Sequence, residues 1–226
     1  MGYAVPVLSN NELSVVHAGR PDPNGNKALI APGTGFGETT LVRVGNQLLP
    51  VASEAGHADF SARTPLEIRL LEYLKSKSHR ISNEQVLSGP GLTSIHQFAH
   101  SDVTCTVVGQ VKEPNDFPAA IIDTARAKGC NKCVDALNLF VGALGAEAGN
   151  HGLRSLATAG IYIGGGMASR ILPALRSPIF LNAFREKRQL AELITNMPIT
   201  VINTPYPVLI GASIVARNLV TKHPTD

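Results

Sequence analysis

A carboxylate and an imidazole three residues apart, Glu54 and His57, offer the clearest chemistry in this sequence of 226 residues. A carboxylate can accept hydrogen bonds from two adjacent hydroxyl groups, and an imidazole can donate or accept one. With a second carboxylate nearby, the pair could therefore hold a polyol. In isolation the pair favours a plainer interpretation, in which His57 caps a turn and Glu54 is solvated. The neighbouring motifs reverse that preference.

A glycine-rich turn, Pro32-Gly33-Thr34-Gly35-Phe36-Gly37, precedes this pair. Glycines let a backbone approach a phosphate closely and adopt positive φ without a steric penalty. An apolar run lies before the turn and an alternating β-branched run lies after it, so we expect a hairpin. A dinucleotide fingerprint or a P-loop would open a helix here, and a P-loop also needs Gly-Lys-Ser/Thr. The turn therefore indicates a phosphate-binding hairpin of another architecture.

The rest of the chain predicts an α/β fold with a mixed sheet. Three antiparallel strands are expected first, then a helical region, and then a strand-helix-strand-helix order, which places helices on the faces of the sheet. Residues 1–26 are rich in turn signals and read as a tail or a connection. The predicted strands cover residues 27–31, 39–44, 47–52, 160–163 and 198–203, and the predicted helices cover residues 64–76, 82–87, 92–99, 119–128, 133–151, 168–175, 180–184, 190–195 and 208–220.

Composition excludes several classes of protein. The net charge is +3, from 20 basic and 17 acidic residues, and the basic residues are scattered, which argues against a nucleic-acid or membrane surface. The apolar fraction of 44% is ample for a buried core. No apolar run approaches about eighteen residues, and the N-terminus lacks the pattern of a signal peptide. We therefore expect a cytoplasmic protein.

The three cysteines, Cys105, Cys130 and Cys133, are too few and too unevenly spaced for a disulfide framework. Cys130 and Cys133 have the spacing of a redox or zinc pair, but a structural zinc site needs four ligands and the sequence shows no obvious second pair. We expect inert, partly buried thiols at a helix start, and no metal site in this chain.

Five ordered motifs make the chain resemble the bacterial glucokinases of the hexokinase, Hsp70 and actin superfamily. The resemblance covers about residues 27 to 220. The motifs are Pro-Gly-Thr-Gly-Phe-Gly at 32–37, Glu-Ala-Gly-His-Ala-Asp-Phe at 54–60, Glu-Gln-Val-Leu-Ser-Gly-Pro-Gly-Leu at 84–92, Ile-Tyr-Ile-Gly-Gly-Gly at 161–166 and Pro-Val-Leu-Ile-Gly-Ala at 207–212.

This resemblance implies ATP-dependent phosphorylation of D-glucose to glucose 6-phosphate on a ribonuclease H-like, actin-like ATPase fold. It implies glucose contacts from Glu54, His57 and Glu84. The implied phosphate-binding residues are Gly33, Thr34, Gly35 and Gly37, and the implied adenosine-side turn is Gly164, Gly165 and Gly166. ATP and Mg²⁺ are the implied cofactors, D-glucose and ATP the implied partners, and a homodimer is allowed.

The resemblance also implies an organisation. Residues 27–226 look like the large domain, with a helical insertion at about 64–155, and residues 1–26 like a remnant that leads to a missing small domain. The family's Asp-x-Gly-Gly-Thr loop and catalytic Asn-Asp-Phe are missing from their expected places, so the catalytic base is expected upstream of Met1. The chain alone should then be inactive. We also expect the apolar run at residues 1–7 to be mobile or docked against another chain.

Two departures and two alternatives accompany the resemblance. The family usually has glycine where Ala55 stands. Asn115-Asp116-Phe117 copies the catalytic tripeptide but lies in the helical insertion, so Asp116 is interpreted as a helix cap.

A sugar-binding repressor of the superfamily would carry a cysteine-rich motif soon after His57, and the next cysteine is Cys105. A non-catalytic sugar-binding module is the other alternative, and the phosphate donor stays open among ATP, ADP and polyphosphate.

Overall fold

The computed structural model describes residues 1–106 and 108–222. Its strands are β1 (Leu13–His17), β2 (Lys27–Pro32), β3 (Phe36–Val44), β4 (Gln47–Val51), β5 (Gly160–Ile163) and β6 (Ile199–Ile202). Its α-helices are α1 (Pro65–Lys75), α2 (Glu84–Leu87), α3 (Gly89–Ala99), α4 (Phe117–Arg126), α5 (Asn131–Ser155), α6 (Leu172–Leu175), α7 (Pro178–Arg185), α8 (Ala191–Asn196) and α9 (Pro207–Lys222).

The six strands form one mixed sheet in the order β1-β6-β5-β2-β3-β4. The pairs β2-β5 and β5-β6 are parallel. The pairs β2-β3, β3-β4 and β1-β6 are antiparallel. Because β2 and β5 are parallel, the turns that follow them lie at the same edge of the sheet. This topology brings the two glycine-rich turns together.

Helices α1 to α5 lie between β4 and β5 in the chain. Helix α1 begins where the sequence predicts, at Thr64, whose hydroxyl accepts from the backbone N–H of Glu67 while the Glu67 carboxylate accepts from the backbone N–H of Thr64. Helix α5 is the longest described helix; it contains the predicted helix at 133–151, and most of its residues are buried. A helix was predicted from Ala168, but only Leu172–Leu175 is helical.

The N-terminal residues differ from the sequence prediction. No strand was predicted before Lys27, yet β1 pairs with β6 at the edge of the sheet. The apolar run at its start was expected to be mobile or to seek another chain. Instead it forms a 3₁₀ turn, Gly2–Val7, in which Ala4 and Val5 are buried. Val5 packs with Leu29, Leu41 and Ile202 of the sheet in a second small core, so part of this run packs on its own chain, while Tyr3 and Val7 are exposed.

Among the described residues, no helix combines the length and the apolar character that crossing a membrane requires.

Candidate functional site

Two glycine-rich turns meet at the carboxyl ends of β2 and β5. The backbone N–H of Gly164 donates to the carbonyl of Ile30 at 2.8 Å, which joins the second turn to β2. Gly165 has φ of +88°. A β-carbon at this residue would overlap the carbonyl oxygen of Pro32, so glycine is required for both reasons. The arrangement presents the backbone of both turns on one side of the sheet.

Glu84 connects the first glycine turn to a second motif of the predicted site. Its Oε2 accepts a hydrogen bond from the backbone N–H of Phe36 at 2.9 Å. A β-carbon on Gly35 would lie 2.6 Å from the same oxygen, so the glycine makes room for this contact. The half-buried Glu84 is therefore fixed at the start of α2, directly against the turn expected to hold phosphate.

Glu54 and His57 lie on a short 3₁₀ turn that packs against the same residue, Phe36. The turn spans Ala55–His57, and a β-carbon on Gly56 would overlap the carbonyl oxygen of Phe36. Gly56 is thus the position in this motif that excludes a side chain. Ala55, where the family usually has glycine, is not among the described residues with positive φ, so its methyl group imposes no backbone strain.

Backbone pairing holds these two motifs together. The N–H of Phe60 donates to the carbonyl of Ile81 at 3.0 Å, and the N–H of Asn83 donates to the carbonyl of Ala58 at 2.8 Å. The pairing places the chain after His57 alongside the chain just before Glu84. The predicted sugar-binding residues therefore come from two segments joined by a short ladder.

The side chains of this pair are open to solvent. The Nε2 of His57 lies 4.0 Å from the Oε2 of Glu54, and these side chains are 61% and 91% exposed. An exposed side-chain contact of this kind contributes little to stability. Both groups are consequently free to exchange this contact for hydrogen bonds to hydroxyl groups of a ligand.

A cavity of about 680 Å³ opens on the other side of the first glycine turn. Its walls come from both glycine turns, the N-terminus of α3 and the start of α4, and Arg170 supplies the charged group among the described lining residues. The lining residues are Gly33, Thr34, Gly89, Pro90, Thr93, Pro114, Asn115, Pro118, Ala119, Ile122, Gly166, Met167 and Arg170. This volume is in the range of small-molecule and cofactor sites.

Most of this lining was missed by sequence reasoning. The Gly-Pro-Gly run at 89–91 belongs to one of the five family motifs, but no binding role was predicted for it. In the structure the N–H of Gly89 donates to the carbonyl of Gly33 at 2.8 Å. Of the predicted phosphate-binding residues, Gly33, Thr34 and Gly166 line the cavity, whereas Gly37 lies within β3 opposite Ala31. The Gly-Pro-Gly run was the signal that could have found the α3 contribution.

The described residues fit a nucleotide better than they fit Mg²⁺. Magnesium is bound through carboxylates and phosphates, and no carboxylate lines the cavity among the described residues. The described lining of the cavity therefore supplies no carboxylate ligand for the metal. Asp116 occupies the N-cap position of α4, as predicted, although its side chain makes no capping hydrogen bond.

A cluster of charged side chains, with two buried carboxyl groups, is centred on Glu38 of β3. Glu38 and Glu54 both line a shallow hollow of about 610 Å³. The Oε2 of Glu38 accepts from Nη2 of Arg154 at 3.0 Å, and Glu147 competes for the same guanidinium. Burial, together with repulsion by Glu147, raises the pKa of Glu38 to about 8 although Arg154 lowers it. Glu38 is therefore the carboxyl group of this cluster whose ionisation the fold opposes.

Comparison with known proteins identifies the family of this chain. The family model described as Glucokinase matches residues 1–219. A curated glucokinase from Nostoc sp. is 36% identical over an alignment of 236 positions, which covers 97% of this chain and 69% of that protein. One from Synechocystis sp. is 35% identical and covers 96% and 66%. This chain thus spans about two thirds of the length of these relatives.

Solved structures show the same similarity. The crystal structure of a glucokinase from an Antarctic psychrotroph matches with a TM-score of 0.83 and 32% identity, over 96% of this chain and 66% of that chain. A ROK family glucokinase from Streptomyces griseus, crystallised with glucose and AMPPNP, shares the fold with a TM-score of 0.57 at 19% identity, over 87% and 62%. On the extent of the family match and the identity to these relatives, the chain belongs to the glucokinase family.

Proposed function

We propose that this chain carries the glucose-binding and nucleotide-binding surfaces of an enzyme that transfers a phosphoryl group from ATP to the 6-hydroxyl group of D-glucose. One observation carries the proposal. Phe36, within the first glycine turn, donates its backbone N–H to Glu84 and packs its carbonyl against Gly56. Both predicted sugar motifs therefore contact the turn predicted to hold phosphate.

The residues have separate roles in this proposal. Glu54, His57 and Glu84 orient the sugar by accepting from and donating to its hydroxyl groups. The turn at Gly33 and Thr34 and the turn at Gly164 to Gly166 hold the nucleotide in the cavity of about 680 Å³. Phosphoryl transfer depends mainly on alignment and electrostatic stabilisation, and the shared contact at Phe36 fixes one substrate site relative to the other.

Several finer assignments belong to the same proposal. The fold is assigned to the ribonuclease H-like, actin-like ATPase type, supported by the mixed six-stranded sheet and by sugar kinases among its structural neighbours. ATP is the proposed donor, in keeping with the AMPPNP in the Streptomyces griseus structure. The cytoplasmic location, the homodimer and the division at residue 27 stay predictions of the sequence.

Binding of glucose to the purified chain tests the proposal. We expect titration calorimetry to detect glucose binding, and His57→Ala and Glu84→Gln to weaken it about ten- to a hundredfold, because each substitution removes or neutralises a hydrogen-bonding partner of the sugar. His79→Ala, which removes an exposed histidine outside both motifs, is the matched control and should bind like the wild type. Absence of glucose binding, or equal affinities in all three variants, would contradict the assignment.

A further inference from the structure

Four side chains with metal-binding atoms lie close together in space, and none of them belongs to the proposed sugar site. They are His96 and His100 on α3, Cys105 in the segment that joins α3 to α4, and Cys133 near the start of α5. One ligand atom from each side chain can be chosen so that all four lie within 4.8 Å of one another. His96, Cys105 and Cys133 are buried and His100 is half-buried.

The two thiols already have the separation that a tetrahedral ion requires. Two sulfur ligands about 2.3 Å from a tetrahedral Zn²⁺ lie about 3.8 Å apart. The Sγ atoms of Cys105 and Cys133 are 3.8 Å apart. A disulfide would require these atoms to approach to about 2.05 Å. The observed separation therefore suits shared ligation without any movement of the two side chains.

The histidines are arranged as ligands commonly are. His96 and His100 stand four residues apart on one face of α3, and their ring centres are 4.0 Å apart. Nδ1 of His100 lies 2.9 Å from the carbonyl oxygen of His96, which can only accept, so the ring proton is on Nδ1. Nε2 is then the nitrogen with a lone pair; its present partner is Sγ of Cys130 at 3.3 Å, a contact that a metal ion would replace. A backbone carbonyl that holds the other ring nitrogen is a common support of a ligating histidine.

An unpartnered buried atom completes the pattern. Nε2 of His96 is buried and has no hydrogen-bond partner, and the residue as a whole is 8% exposed. Leaving a buried polar atom without a partner is unfavourable, and in native proteins it calls for a reason such as a bound ion or water. The atom belongs to the same group of four side chains, so a bound ion would supply the partner.

We propose that His96, His100, Cys105 and Cys133 form a tetrahedral, structural Zn²⁺ site. Two sulfur and two nitrogen ligands are typical of structural zinc, and four protein ligands leave no open position for catalysis. Binding releases the thiol protons of Cys105 and Cys133 to solvent, so the ion is held by two thiolates and two neutral imidazoles. Only Cys133 of the Cys130-x-x-Cys133 pair joins the set, while Sγ of Cys130 lies beside it, 3.3 Å from Nε2 of His100.

The zinc site would fix the segment that joins α3 to α4, and this segment forms part of the wall of the proposed nucleotide cavity. The described residues between α3 and α4 form two short 3₁₀ turns, Val108–Gln110 and Pro114–Asp116. Pro114 and Asn115 line the proposed nucleotide cavity. A zinc ion would tie Cys105, at the start of this segment, to α3 and α5, as the Lys132–Asp102 ion pair of 2.6 Å already does at the surface.

Metal content and competition with a chelator test this proposal on the untagged chain. We expect elemental analysis to find about one zinc per chain after purification, and reconstitution of the metal-free chain with zinc chloride to restore it. Cys105→Ser and His96→Gln should lower zinc affinity by more than the 10- to 100-fold that is typical of changes outside the ligand set. Cys130→Ser, beside the site, and His79→Gln, a histidine outside it, should each keep about one zinc.

A measurement on the wild-type chain tests the site even if the variants fail to fold. Cobalt chloride added to the metal-free chain should give the visible bands of tetrahedral cobalt together with a thiolate charge-transfer band. Absence of these bands, or zinc that a chelator removes equally from the wild type, Cys105→Ser and His96→Gln, would overturn the site. Loss of zinc in Cys130→Ser but not in Cys105→Ser would overturn this ligand set.

Discussion

The carboxylate of Glu84 accepts the backbone N–H of Phe36 across 2.9 Å, so a residue predicted to bind sugar also holds the turn predicted to bind phosphate. Phe36 is buried, and the bond spans 48 positions of the chain. A hydrogen bond to a charged group typically contributes about 1.5–3 kcal/mol. The contact therefore matters for the fold as well as for a ligand.

Glu84→Ala should lower the free energy of unfolding by about 1.5–3 kcal/mol, because the buried N–H of Phe36 loses its partner. Glu84→Gln keeps an acceptor oxygen in place and should cost less. Urea denaturation measures both. Glu192→Ala, an exposed carboxylate on α8, is the control and should change stability by no more than about 0.5 kcal/mol. Equal stability of Glu84→Ala and this control would show that the bond contributes nothing.

Gly56→Ala should destabilise the domain by about 1–3 kcal/mol, because the added methyl group overlaps the carbonyl oxygen of Phe36 and the turn must shift. It should also weaken glucose binding, since Glu54 and His57 lie on that turn. Gly37→Ala is the matched control, because a β-carbon there meets nothing within 4 Å. Thermal unfolding and glucose titration compare the two variants, and similar behaviour of both would contradict the packing argument.

Arg170→Ala should reduce the affinity for AMPPNP by up to about fivefold. Arg170 is exposed at the rim of the nucleotide cavity, and exposed charge pairs contribute at most about 1 kcal/mol. The difference should shrink in high salt because the interaction is screened. Arg126→Ala on α4, an exposed arginine outside the cavity lining, should bind like the wild type. A larger effect from Arg126 than from Arg170 would place the nucleotide elsewhere.

Glu38 should make stability fall as pH rises above neutrality. Its pKa in the folded chain is about 8, above the ordinary value of 4.5 expected on unfolding, so the native state retains a proton that the unfolded state has lost. The resulting contribution is present in full below pH 4.5 and disappears as pH rises through about 8. Between about pH 7 and pH 9 it should decline by about 1 kcal/mol.

Urea denaturation of the wild type and Glu38→Gln at both pH values isolates this contribution. The variant carries no titrating carboxyl group at this position, so its stability should fall less over the same interval. Glu72→Gln, an exposed carboxylate on α1, should keep the pH dependence of the wild type. Parallel curves for the wild type and Glu38→Gln would show that Glu38 is already ionised at neutral pH.

Local sequence was sufficient to predict most of the helices and strands and the family of this protein. Thr64 and Glu67 form a capping box in place, and the alternation of residues 39–44 appears as strand β3, because these signals depend on nearest neighbours along the chain. The five motifs were sufficient for the resemblance to glucokinases, which the family match confirms.

Tertiary structure decided what distant segments do together. Strand β1 has weak periodicity of its own and exists because the free edge of β6 accepts it. Ala4 and Val5 of the N-terminal apolar run are buried, Val5 against Leu29 and Leu41 of the sheet. Likewise, Cys105 and Cys133 stand 28 residues apart in sequence, and only the packing of α3 against α5 brings their sulfur atoms and two histidines into one site. Spacing along a chain cannot report such distances, because they are set by the packing of helices and strands that are remote in sequence.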